Sequence, residues 1–244
     1  MIKKWTLSIM KKMIKFIISP WIILSILLIS FLFFELTPID IYIQDYFYNF
    51  NSKQWILDRN AVIPKLIFYD GIKIIFIVFV IAVLITVVFS RRITIIKHYQ
   101  KGLMIVLLSC VLVPLFIGLL KATTNVPCPK DIERYGGNYP NITVLSKYPA
   151  TFVQTKNIKC YPAGHASGGF ALMSLFFLFF SCRNRLIALI SAISIGWTIG
   201  NYKMLIGDHY FSHTYMTMMI SWLIIVMISY GVNRFSFNID NDKA

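Results

Sequence analysis

From Gly71 to Ser90 the chain reads GIKIIFIVFVIAVLITVVFS, with one lysine near its start and no formal charge after it. Such a run has one comfortable environment. About 20 apolar residues wound as a helix cross the roughly 30 Å hydrocarbon layer of a bilayer, and the helix satisfies its backbone polar groups internally. Further apolar runs lie at 17–36, 102–120, 166–181, 186–202 and 214–232. The whole chain, 57% hydrophobic and 14% charged, falls outside the range of soluble domains. The expected fold is all-α, an integral membrane bundle of about six transmembrane helices over 17–232. A basic segment, 1–16, precedes it and a short tail, 233–244, follows. The first run is too long for a signal peptide and no clean small-x-small site follows it, so it reads as an uncleaved anchor.

Charge sets the orientation. Lys3, Lys4, Lys11, Lys12 and Lys15 at the start, Arg91, Arg92, Lys97 and Lys101 in one turn, and Arg183 and Arg185 in another have no acids among them. The alternate loops mix Asp40, Asp45, Asp58, Asp70, Asp131, Glu133 and Asp208 with their cations. Both termini are therefore placed in the cytoplasm, and 37–70, 121–165 and 203–213 face outward. The Ile/Lys/Asn-rich style suggests a bacterial inner membrane. Topology accounts for most of the net charge of +14, so no nucleic-acid partner is needed and no obligate protein partner is implied. The aromatic first outer segment, PIDIYIQDYFYNFNSKQW, suits a stretch lying at the membrane interface.

Of the four histidines, His98 sits in a basic cytoplasmic turn and reads as a solvated surface residue. His165, His209 and His213 each fall at the outer mouth of a run. Lys121 and Lys203, at outer run ends, and Arg134, in the loop between the third and fourth runs, lie on the same side. A lysine at a run end often only snorkels to the headgroups. Three histidines and three cations on one face suit an anion, phosphate above all. Histidine can attack phosphorus and can also deliver a proton near neutral pH. PAGH, residues 162–165, adds a Gly-containing turn at a helix N-terminus, whose free N–H groups and dipole favour an anion. Gly168 and Gly169 read as helix-packing residues.

In order and spacing these residues resemble the type 2 phosphatidic acid phosphatase superfamily, membrane lipid phosphatases related to vanadium haloperoxidases. That family's pattern is Lys, six residues, Arg-Pro; then Pro-Ser-Gly-His; then Ser-Arg, five residues, His, three residues, Asp. Here KATTNVPCP keeps Lys121 and Pro129 but has Cys128 for arginine. PAGH keeps Gly164 and His165 but has Ala163 for serine. YKMLIGDHYFSH has Lys203 for arginine, His209 in register, and His213 for aspartate. The motif region spans about 121–213.

The resemblance implies His209 as the nucleophile that forms a phosphohistidine, His165 as the general acid, and His213 at the orienting position. It also implies that no metal or cofactor is used. A neutral imidazole at 213 can accept a hydrogen bond but cannot stabilise an imidazolium as a carboxylate does. Asp208 is a candidate orienting carboxylate if the chain turns there. Lys121, Gly164 and Lys203 are candidate substrate-binding residues. Arg134 is a candidate replacement for the missing arginine, its loop folding back at Gly136-Gly137. The three histidines also invite a zinc site, but the surrounding cations and the lack of an H-E-x-x-H glutamate argue against one.

Cys110 and Cys182 read as free thiols. Cys128 and Cys160 share the outer 121–165 loop and can pair in an oxidising compartment, tying the first motif to the second. The functional expectation is a phosphatase hydrolysing an amphiphilic lipid phosphate or diphosphate at the outer leaflet. The alternatives are a lipid-to-lipid phosphotransferase and a catalytically impaired headgroup binder or carrier.

Overall fold

The computed structural model describes residues 12–90 and 92–241. Lys3, Lys4, Lys11, Arg91 and the last residues of the tail lie outside the described residues. The fold is mostly helical. Helix α1 (Pro20–Leu36) opens on a proline, whose missing N–H is no loss in a first turn. It bends by 71° into α2 (Ile39–Asp45). A short hairpin follows, β1 (Tyr48–Asn49) and β2 (Gln54–Trp55), with Tyr48 opposite Trp55. Then come α3 (Val62–Phe89) and α4 (Gln100–Thr123). After a long outer loop, α5 (Gly164–Ala171) continues as a 3-10 turn, Leu172–Phe177. Helices α6 (Cys182–Leu205) and α7 (Phe211–Asn241) complete the chain.

Among the described residues, α3, α4 and α7 up to Arg234 are long and apolar enough to cross a membrane, with a fourth span if α1 and α2 count as one. The six apolar runs of the sequence do not all meet that measure. The run at 166–181 is divided between α5 and its 3-10 continuation, and α6 carries Arg183, Arg185, Asn201 and Lys203 near its ends. The outer faces are strongly apolar: Ile75 is 70% exposed on α3 and Leu119 56% on α4. Continuous exposed apolar surface of this kind suits contact with lipid.

The core forms where α4, α5, α6 and α7 meet. Val106, Val113 and Ile117 from α4 pack with Phe170 from α5, Phe176 from the 3-10 turn, and Ile225 and Val226 from α7. Glycine sets the closeness of α5 to α6. A methyl on Gly169 would come within 2.8 Å of the Gly196 Cα, and one on Gly196 would run into the Phe170 ring. Helices in lipid approach most closely through such small residues.

The first outer segment folds as helix α2 and the β1–β2 hairpin. Helix α2 packs on α7. Its buried Gln44 donates from Nε2 to the Met204 carbonyl at 2.9 Å. Asp40 accepts from the Ser212 N–H at 2.8 Å and from the Ser212 hydroxyl, satisfying an N–H that the start of α7 leaves open. Tyr48 and Trp55 pack on Tyr135 of the long loop, while Tyr42 and Tyr46 remain exposed.

Candidate active site

Two sharp chain reversals build the site. The first leads into α5. The Tyr161–Pro162 peptide is cis, and the Ala163 N–H is held by the Thr217 hydroxyl at 2.8 Å. Ala163 is fully buried, so its methyl faces protein where the family pattern has a hydroxyl. His165 then stands in the first turn of α5. The second reversal joins α6 to α7. Gly207 adopts φ +73°, a left-handed conformation that glycine takes without penalty. The Asp208 and His209 N–H groups fold back onto the Lys203 carbonyl. This reversal turns His209 inward while α7 begins at Phe211.

The reversals bring the motifs together. The His165 and His209 rings lie 5.9 Å apart, centroid to centroid, and those of His209 and His213 5.8 Å. Lys121, in the last turn of α4, lies along Gly164 in ordinary van der Waals reach of it. The Lys203 ammonium sits 4.5 Å from the Tyr69 ring centroid, and Tyr69 in turn faces His165 at 5.2 Å. Lys121, His165, His209 and Lys203 thus converge.

Three of the expected residues are placed differently. Arg134 does not join the site. Its guanidinium grips Asp45 at 2.6 and 2.8 Å, with Tyr135 donating to the same carboxylate at 2.8 Å and Phe50 beneath. Asp208 does not orient His209. Its carboxylate is taken by Lys130 at 2.9 Å, Lys203 at 3.1 Å and Arg59. His213 makes no hydrogen bond to His209; its Nδ1 is buried without a partner. Sequence reasoning missed Arg59, Lys130 and Tyr69. Lys130 carried a signal, since it directly follows the first motif, two residues after the missing arginine's position. Arg59 and Tyr69, isolated in the first outer segment, carried none.

Burial first, then His213 and Lys121, hold the His209 imidazole well below its ordinary pKa, so it is neutral at pH 7. Its Nε2 is buried and unpartnered. Loss of hydration in the cleft, then Lys203 and Lys121, pushes His165 down to about 4. The His165 ring is itself exposed at the cavity mouth, where an arriving anion changes that balance. Burial alone would raise the Asp208 carboxyl, but Lys130, Lys203 and Arg59 hold it below the usual carboxylate range.

Cys128 and Cys160 are joined as a disulfide, their Cα atoms 5.2 Å apart. Cys110 and Cys182 are free. Ligand-capable atoms of Cys160, His209 and His213 cluster within 4.8 Å, but a bonded sulfur is no thiolate ligand, and His165 stands outside this group.

A cavity of about 980 Å³ opens from Lys121, Gly164 and His165 and runs between α3, α5 and α6 past Phe76, Leu172 and Ile199. A more open hollow of about 700 Å³, beside the disulfide, carries Lys130, Lys156 and Lys159.

A family model described as the PAP2 superfamily matches residues 102–237, more than half of the chain and all three motifs. The chain belongs to the PAP2 superfamily. PAP2 proteins are generally phosphatases of phosphate esters, and membership implies a phosphate-bearing substrate. No curated protein and no solved structure matches the chain.

Proposed function

We propose that this PAP2 protein is a six-span membrane phosphatase that hydrolyses an amphiphilic lipid phosphate or diphosphate at the outer leaflet, through a phosphohistidine on His209. The apposition of His209 and His165 carries this reading, with Lys121 and His165 at the head of a long apolar cavity. Lys121, Lys203 and the first-turn N–H groups of α5 neutralise the phosphoryl oxygens. Neutral His209 attacks phosphorus from Nε2. His165, protonated once the dianion is bound, delivers its proton to the departing oxygen. Water then cleaves the P–N bond, with His165 now taking the water's proton. No metal enters these steps.

The apolar cavity that opens at Lys121 and His165 favours a lipid over a water-soluble ester, since it gives chain and headgroup separate places. The disulfide supports an outward, oxidising location for the long loop, consistent with a cytoplasmic N-terminus in a bacterial inner membrane. The test is phosphate release by purified protein from a panel of lipid mono- and diphosphates, beside His209→Ala. Activity lost at least a thousandfold in a folded variant supports the reading. Release unaffected by the substitution refutes it, and phosphate appearing on an added lipid alcohol identifies a transferase.

A further inference from the structure

We propose that the Cys160 sulfur, in its disulfide form, is the group that positions His209, standing where a carboxylate would otherwise orient the nucleophile. This rests on the phosphatase reading above. The His209 ring is 2% exposed, and its Nδ1 lies 3.6 Å from the Cys160 sulfur. A disulfide sulfur has lone pairs and no proton, so this contact runs one way: His209 Nδ1–H donates and sulfur accepts. The nitrogen left without a proton is Nε2, which is buried and unpartnered, the state an attacking nitrogen needs.

No other side chain among the described residues takes this part. The Asp208 carboxylate is enclosed by Arg59, Lys130 and Lys203, and no hydrogen bond joins His213 to His209. The sulfur is fixed from several sides. Cys160 is fully buried, its N–H donates to the Val126 carbonyl at 3.1 Å, and the sulfur rests 2.9 Å from the Asp208 carbonyl oxygen. The two departures at motif positions, cysteine at 128 and histidine at 213, then belong together. The first supplies the bond that makes the sulfur a pure acceptor, and the second removes the carboxylate it replaces.

Reduction reverses the contact. A dithiol breaks the S–S bond, is itself oxidised to a disulfide, and leaves Cys128 and Cys160 each with a proton. The Cys160 S–H can now donate to Nδ1, which favours the tautomer with its proton on Nε2 and removes the nucleophilic lone pair. Cys160 is thus a positioning residue whose effect depends on its oxidation state.

The test follows phosphate release from a lipid phosphate and the nitrogen resonances of ¹⁵N-histidine-labelled protein, before and after dithiothreitol. The oxidised protein should show His209 protonated on Nδ1. Reduction should move that proton and lower kcat about tenfold, the worth of one neutral hydrogen bond, with KM changed less than about threefold. His213→Asp added to Cys128→Ala/Cys160→Ala should recover most of that kcat. An oxidised protein with His209 protonated on Nε2, or a kcat indifferent to reduction, overturns the proposal, and so does a double variant that melts normally yet keeps full kcat. Absence of phosphate release with the Nδ1–H resonance in place counts against the phosphatase reading and leaves the sulfur contact standing.

Discussion

Replacing Asp208 by asparagine removes the one anion that three cations share. Lys203 and Asp208 are 8% and 10% exposed at their side chains, so their pair is buried, whereas Lys130 and Arg59 are 28% and 49% exposed and can turn to water. Removing one partner of a buried pair costs about 3–5 kcal/mol, and exposed pairs contribute about 0–1 kcal/mol each. Lys203 keeps its contact with the Tyr69 ring, so the lower end, about 3 kcal/mol, is expected. The sign with pH is fixed by the depressed carboxyl. Its contribution is complete above the unfolded value of about 4 and is lost as pH falls through the folded one. Unfolding in detergent micelles, followed at pH 7 and in steps towards pH 3, should show the gap between parent and Asp208→Asn narrowing only at the acid end. The same variant should bind orthovanadate more tightly at pH 7, because its cations are no longer neutralised from within. A variant as stable as the parent at pH 7, or a gap independent of pH, refutes the placement of Asp208 among the three cations.

Further outcomes follow from the packing and the charges. Gly196→Ala should destabilise by about 1–3 kcal/mol through overpacking against Phe170 and lower turnover with it, because α5 carries His165; unfolding and activity measured on one preparation check both. Arg134→Ala should keep turnover within about twofold, since its guanidinium is spent on Asp45 and exposed pairs are worth little; a loss beyond tenfold in the phosphate-release assay returns Arg134 to the site. His165, near 4 in the free protein, should take up a proton when inorganic phosphate binds at pH 7, because a nearby dianion raises an imidazole pKa. Binding heats compared in two buffers of different ionisation enthalpy measure that uptake.

The parts legible in the sequence are those fixed by local chemistry. Unbroken apolar runs gave α3, α4 and the membrane-length part of α7; the start of α3 was placed late, because Pro64, Lys65 and Asp70 sit within its first turns, and α7 continues past its run into the expected tail. The three motifs could be found because each sits at a helix end, where spacing along the chain survives in space. Cys128 and Cys160 could be paired because one loop holds both. The cations were harder to assign. An arginine's partner depends on what tertiary structure brings near, and Asp45 is 89 residues from Arg134. Lys130 and Arg59 reach Asp208 across 78 and 149 residues. Gly169, read as a helix-packing residue, does pack against Gly196 of α6, but the apolar residues of the run at 166–181 carry no mark of the point, at Leu172, where α5 gives way to the 3-10 turn.

The hydrogen bond from Ser212 to Asp40 spans 172 residues, and its reach sets an order of events in synthesis. Asp40 leaves the ribosome long before the segment carrying His209 and His213, so the cap on α7 closes only after the first turn of that helix has been made. Lys130 N–H on the Gly207 carbonyl and Leu57 N–H on the Leu205 carbonyl close over the same turn. A nascent chain therefore presents Lys121 and His165 before Lys203 and His209 exist, and the four side chains can converge only once the reversal at Gly207 has been made.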